Sequence, residues 1–186
     1  MAGNVSRKLV LLRHAKSAWP DVPDHKRPLA RRGQRDAPVM GRWLRAAGHV
    51  PGQVLCSTAR RARETWQLAQ AELGAAPPVM FEDRVYRASA ADLAGLTRRT
   101  SPSVRTLLIV GHNPAIHELA LTLAAVADGG SGTVPAGALS GMAAKFPTAA
   151  VAVLEFTGGW DQLAEGGARL TRFVTPRDVK AKEASR

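Results

Sequence analysis

Two kinds of pattern alternate along this chain. Largely apolar runs occur at 9–12, 54–56, 79–81, 106–110 and 149–156, and residues that are apolar at successive positions predict strands buried on both faces. Residues 168–174 alternate instead, which predicts an edge strand with one wet face. Between these runs the spacing is helical. From Gly33 onward Ala37, Met40, Trp43, Leu44 and Ala47 recur on one face, and Gly48 stands where such a helix would stop. Ala62, Thr65, Trp66, Leu68 and Ala69 mark a second helix that ends near Gly74, with Ser57 or Thr58 placed to cap it. Ser89 is placed to cap a third helix through Leu93 and Leu96. Pro114 opens a fourth, with Ile116, Leu119, Ala120 and Leu123 on one face.

The remaining stretches read as connections. Residues 19–28 hold three prolines and predict a loop, and the Gly-, Ser- and Pro-rich stretch from Asp128 to Gly141 predicts a long one. Residues 176–186, charged and without aromatics, predict a flexible tail. Strand and helix patterns otherwise alternate, which predicts an α/β fold: a three-layer α/β/α sandwich around a mostly parallel sheet. A length of 186 residues with 45% hydrophobic content fits one domain over 1–186, its ordered core spanning about 7–175.

Composition narrows the partners. Lys and Arg number 26 against 15 acidic residues, a net charge of +11, which favours anionic ligands of any kind. A single cysteine, Cys56, excludes an internal disulfide, and no Cys/His spacing matches a zinc finger. The apolar run after Arg7-Lys8 is too short for a signal peptide, and no stretch approaches the roughly 20 apolar residues of a membrane helix. A cytoplasmic protein without a membrane partner is expected, with neither cofactor nor metal.

Chemistry collects where the strands end. Arg13, His14, Lys16 and Ser17 follow the first run, Arg61 lies just inside the helix after the second, and His112 follows the 106–110 run. In a parallel sheet those exits share one edge, so the groups can converge. Two guanidiniums supply planar forks for phosphate oxygens. A neutral imidazole supplies a nucleophilic nitrogen, and neighbouring positive charge lowers its pKa in the needed direction.

Arg13-His14-Ala15, the Ser57-x-x-x-Arg61-Ala62-x-x-Thr65 segment and Gly111-His112 together resemble the histidine phosphatase, or phosphoglycerate mutase-like, superfamily. The resemblance implies that fold, with His14 as the phosphorylated nucleophile and Arg13, Arg61 and His112 as the phosphate pocket. The opening Arg-His-Ala-Lys-Ser and the Asp24-His25-Lys26-Arg27-Pro28-Leu29 segment before Arg32-Gly33 resemble the SixA-type phosphohistidine phosphatases. That branch implies phosphohistidine in proteins as substrate. Ser17 and Pro20 stand where other members carry a Thr and an Asn, so Ser17, Arg27 and Lys16 are the expected additional substrate contacts. The Glu that serves as general acid in the phosphomonoesterase branches has no clean match near Val85, and Glu82 and Asp83 are candidates by proximity. An alkoxide leaving group needs a proton, a contribution of about 10²–10⁴-fold, whereas imidazole leaves more readily. A weak acid therefore favours phosphohistidine, and the short segment between Thr65 and Leu107 leaves little for a lid, which suits a protein substrate.

Other readings compete. A small-molecule phosphomonoesterase would use Glu82 or Asp83 as its acid. A catalytically silent basic module would hold RNA or an acidic partner, yet the chain has no stacking platform or motif for specific nucleic-acid recognition. Cys56 has alanine rather than arginine six positions on, which excludes a cysteine-dependent phosphatase loop. His112 and His117 are five apart, not the four of a zinc-binding helix. His117 reads as a surface or capping residue, and His25 as a residue near the substrate.

Overall fold

In the computed structural model, which describes residues 5–124 and 137–185, the predicted runs pair into one six-stranded sheet. In chain order the strands are β1 (Ser6–Arg13), β2 (Gln53–Ser57), β3 (Val79–Glu82), β4 (Thr106–Gly111), β5 (Val151–Thr157) and β6 (Arg169–Val174). Across the sheet they lie β3-β2-β4-β1-β5-β6. The first four of that order run parallel, β5 is antiparallel to β1, and β6 is antiparallel to β5. The helices are α1 (Arg31–Ala46), α2 (Arg60–Gln70), α3 (Ala90–Arg98), α4 (Ala115–Leu123), α5 (Ala138–Ala144) and α6 (Pro176–Ala184).

The pleat explains why the centres of β1 and β4 are apolar at successive positions. Leu9 and Leu11 point to one face, where they join Leu107, Ile109, Leu93 of α3, and Ile116 and Leu119 of α4. Val10 and Leu12 point to the other, with Leu108, Val110, Val54, Cys56, Met40 and Leu44 of α1, and Trp66 of α2. Helices on both faces exclude water from both, so the centres of β1 and β4, residues 9–12 and 107–110, carry no polar side chain. The three-layer α/β/α sandwich is the result.

Three sequence expectations change. Ala138 to Gly141, expected as the end of a long loop, begins α5; Met142 and Phe146 are fully buried and draw the segment onto the sheet. Residues 128–136 of that expected loop lie outside the described residues. The charged tail from 176 forms α6, opened by Thr175, whose side chain accepts from Asp178 N–H in a capping box with Pro176 at the first position. Val179 packs into the core, and Lys180 Nζ meets Asp36 of α1 at 2.6 Å. Finally, α1 begins two residues before Gly33, and Gly33 itself presses on the chain that follows β1. A Cβ there would lie 2.2 Å from the Lys16 carbonyl oxygen. No helix among the described residues is long and apolar enough to cross a membrane.

Candidate active site

Register brings three strand ends level. Arg13 pairs with Gly111, Leu12 with Val110, and Cys56 also with Val110, so β2, β4 and β1 end side by side at the edge where open α/β sheets bind ligands.

His14, the first residue beyond β1, is 8% exposed. Its Nδ1 donates to the Ala15 carbonyl at 2.8 Å. A carbonyl only accepts, so Nδ1 carries the proton and Nε2 keeps its lone pair. Burial, helped by His112, Arg61 and Arg13, pushes the imidazole down to about 3. Loss of solvent is thus the largest cause, ahead of the positive neighbours. Thr65 of α2 holds the next residue: its hydroxyl accepts from Ala15 N–H at 3.0 Å and donates to the Arg61 carbonyl at 2.6 Å.

The His112 ring stands 4.9 Å from that of His14. Its Nε2 lies 2.8 Å from Ser57 Oγ. Ser57 Oγ also accepts from Ala59 N–H, which leaves its own hydrogen for His112 Nε2. In the tautomer that takes this hydrogen, the imidazole proton is on Nδ1, a buried atom without a protein partner and a donor available to a phosphoryl oxygen. Burial and Arg61 push His112 down to about 4. Ser57 therefore braces His112, and Ala59 is the α2 N-cap, with no side chain capping it.

Arg13 Nη1 donates to the Phe146 carbonyl at 2.8 Å, and Asn113 Nδ2 to the same oxygen at 3.1 Å. Arg13 Nε and Asn113 Oδ1, like His112 Nδ1, are buried without a protein partner. Buried polar atoms of this kind mark a place built for a polar ligand. Arg61, in the first turn of α2, is 7% exposed; Nη1 donates to the Asp24 carbonyl at 2.8 Å and Nη2 to Asp24 Oδ2 at 3.0 Å.

Asp24 opens the segment that resembles the SixA branch but is not among the expected site residues. Its carboxylate also accepts from Tyr86 Oη at 2.7 Å and Arg27 Nη1 at 2.8 Å. These donors, Tyr86 foremost, hold it well below the usual carboxylate range. Arg27 in turn donates to the Ala18 carbonyl and Ser17 Oγ and stacks on Trp19. Arg27 and Ser17 thus hold each other and Asp24, and no contact shows either of them among the pocket donors. The Lys16 ammonium is exposed; the backbone carbonyl of Lys16 accepts from Ala30 N–H.

Of the two acid candidates, Glu82 is gripped by Arg84 through both carboxylate oxygens and held near 2, so it has no proton to give at neutral pH. Asp83 accepts from the Thr58 hydroxyl at 2.8 Å, and that hydroxyl lies 3.0 Å from His25 Nε2. His117 Nε2 donates to the Met142 carbonyl and ties α4 to α5. Burial pushes the Cys56 thiol up to about 12, which removes it as a nucleophile at neutral pH.

A family model described as histidine phosphatase superfamily (branch 1) matches residues 9–107. An uncharacterized protein of Mycobacterium tuberculosis (strain ATCC 25618 / H37Rv) is 42% identical over 167 residues, covering 89% of this chain and all of that protein. Among solved structures, one described as a phosphohistidine phosphatase SixA from Nakamurella multipartitia is 34% identical with a TM-score of 0.76, covering 92% of this chain and 96% of that one. Another, described in the same terms, from Agrobacterium tumefaciens is 26% identical with a TM-score of 0.74, covering 91% and 98%.

Proposed function

The chain belongs to the histidine phosphatase superfamily, branch 1, and from that footing we propose that it hydrolyses phosphohistidine in proteins, without a metal ion, through a covalent phosphohistidine on His14. The observation that carries this reading is the hydrogen bond from His14 Nδ1 to the Ala15 carbonyl. It fixes the tautomer that leaves Nε2 nucleophilic, and burial keeps the ring neutral at physiological pH.

Arg13 and Arg61 take the equatorial oxygens of the phosphoryl group, and His112 Nδ1 donates to a third. His14 Nε2 attacks phosphorus in line, the leaving group departs on the opposite side, and water then cleaves the phosphorus–nitrogen bond. Arg13 and Arg61 bring two positive charges to the pocket, which suit a phosphoryl anion. The relatives described as SixA support phosphohistidine as the substrate, and an open cleft of about 900 Å³ beside Asp24 and Tyr86 suits a substrate borne on a protein.

Incubating the protein with a labelled phosphohistidine peptide, quenching in alkali and mapping the label tests this directly. Label on His14 is expected. His14→Ala should abolish it and lower turnover by at least about 10³-fold. Full turnover by that variant overturns the mechanism, and faster turnover of a sugar phosphate than of the phosphohistidine peptide overturns the substrate.

A further inference from the structure

A cleft carries Asp24, His25, Asp83 and Tyr86 on its wall, and Asp24 joins it to the phosphate pocket by accepting from Arg61. His25 Nε2 is 3.0 Å from Thr58 Oγ1, and that hydroxyl donates its hydrogen to Asp83 Oδ1 at 2.8 Å. A hydroxyl has one hydrogen, so with it given to Asp83, Thr58 can only accept from His25. His25 therefore carries a proton on Nε2, and Nδ1 is the ring position left to exchange a proton with a ligand. Its ring meets Tyr86 edge-on at 4.8 Å, Tyr86 meets His112 at 5.7 Å, and His112 meets His14 at 4.9 Å. The carboxylate–hydroxyl–imidazole chain thus ends at His25, with the Tyr86 ring between it and His112. We propose that His25 is the proton donor to the leaving group, with Thr58 and Asp83 as the positioning residues that orient it. The inference rests on the phosphohistidine reading and supplies the acid that Glu82, locked to Arg84, cannot be.

The proton accounting is complete without any further reagent. In the first step the bond from His14 Nε2 to phosphorus forms as the bond from phosphorus to the substrate imidazole breaks. The Nδ1 proton of the His25 imidazolium passes to the other nitrogen of the departing ring, which leaves as neutral imidazole rather than as imidazolate. In the second step water attacks phosphorus, the bond from phosphorus to His14 Nε2 breaks, and neutral His25 takes the water's proton on Nδ1. Imidazole suits both halves because one ring nitrogen can give a proton in the first step and take one in the second.

Rapid-quench measurement of the first step, the phosphorylation of His14, tests the assignment with two donors. A phosphohistidine peptide releases a ring that leaves faster as neutral imidazole than as imidazolate; dinitrophenyl phosphate releases a stable phenolate that gains little from a proton. His25→Gln should slow phosphorylation from the peptide by about 10²–10⁴-fold and cost far less with dinitrophenyl phosphate. Thr58→Val and Asp83→Asn should show the same imbalance at smaller size, and either serves should His25→Gln fail to fold. Equal losses with both donors, or no loss with either, overturn the role of His25. A wild-type protein that is labelled by dinitrophenyl phosphate and not by the peptide overturns the substrate reading itself, which is a separate outcome.

Discussion

Burial sets the chemistry of His14 before any neighbour acts, and it leaves a trace in stability. An unperturbed imidazole takes up its proton near 6.5; in the folded protein His14 does so only near 3 and His112 near 4. Between those limits the unfolded chain binds more protons than the folded one, so stability falls as pH drops from about 6.5 toward about 3 and is fully present above that window. Urea unfolding at a series of pH values should show that slope, and His14→Asn should flatten it; an unchanged slope in the variant contradicts the assignment. The meeting of Arg13, His14, Arg61 and His112 at one edge of the sheet was legible because each follows a strand end at a recognisable spacing. Asp24 and Ser57 stand in the recognised segments, yet the contacts they and Tyr86 make were not legible. Their parts come from partners distant in the chain, such as Asp24 with Arg61 and Tyr86, and no local pattern encodes such a meeting. Arg27 looked like a substrate contact for the same reason: a basic residue beside a phosphate motif gives no sign that Ala18, Ser17 and Asp24 engage three of its nitrogens.

The catalytic loop after β1 keeps its shape because α1 leans on it through Gly33. A methyl group there would stand 2.2 Å from the Lys16 carbonyl oxygen and 3.0 Å from its nitrogen, so helix or loop must move. Overpacking of this kind costs about 1–3 kcal/mol. Gly33→Ala should lower the urea midpoint accordingly, and because Lys16 lies two residues beyond His14 it should also reduce phosphoenzyme formation. A variant that loses neither stability nor activity shows that the contact is soft. Most elements were legible at this scale since parallel strands are apolar on both faces and α1 to α4 repeat their apolar face over two or more turns. The two that were misread have physical reasons. The seven-residue α5 lies in a composition of Gly, Ser and Pro, and its helix depends on burying Met142. In α6 a single apolar anchor, Val179, and an ion pair to Asp36 replace the amphipathic stripe, although Thr175-Pro176-Arg177-Asp178 was a readable helix start.

At the scale of the whole molecule, the charge of +11 and the pocket act over different distances. Salt at physiological strength screens exposed charges beyond about 8 Å, whereas Arg61 and Arg13 meet a bound phosphoryl group at contact, in a partly buried site. The net charge should therefore speed encounter with an acidic phosphoprotein and leave the chemical step alone. Raising the salt from low to physiological concentration should lower kcat/KM on such a substrate by about tenfold, within the 10–10³ range of electrostatic steering, while kcat at saturation changes little. Equal kcat/KM across the series would leave the surplus charge without a part in substrate capture. Binding of RNA measured over the same series separates the basic-module reading, since attraction by surface charge alone collapses with salt. Tight RNA binding that survives physiological salt would require a recognition surface distinct from the phosphate pocket. Its loss, together with falling kcat/KM and steady kcat, places the whole surplus of Lys and Arg in the service of the His14 pocket.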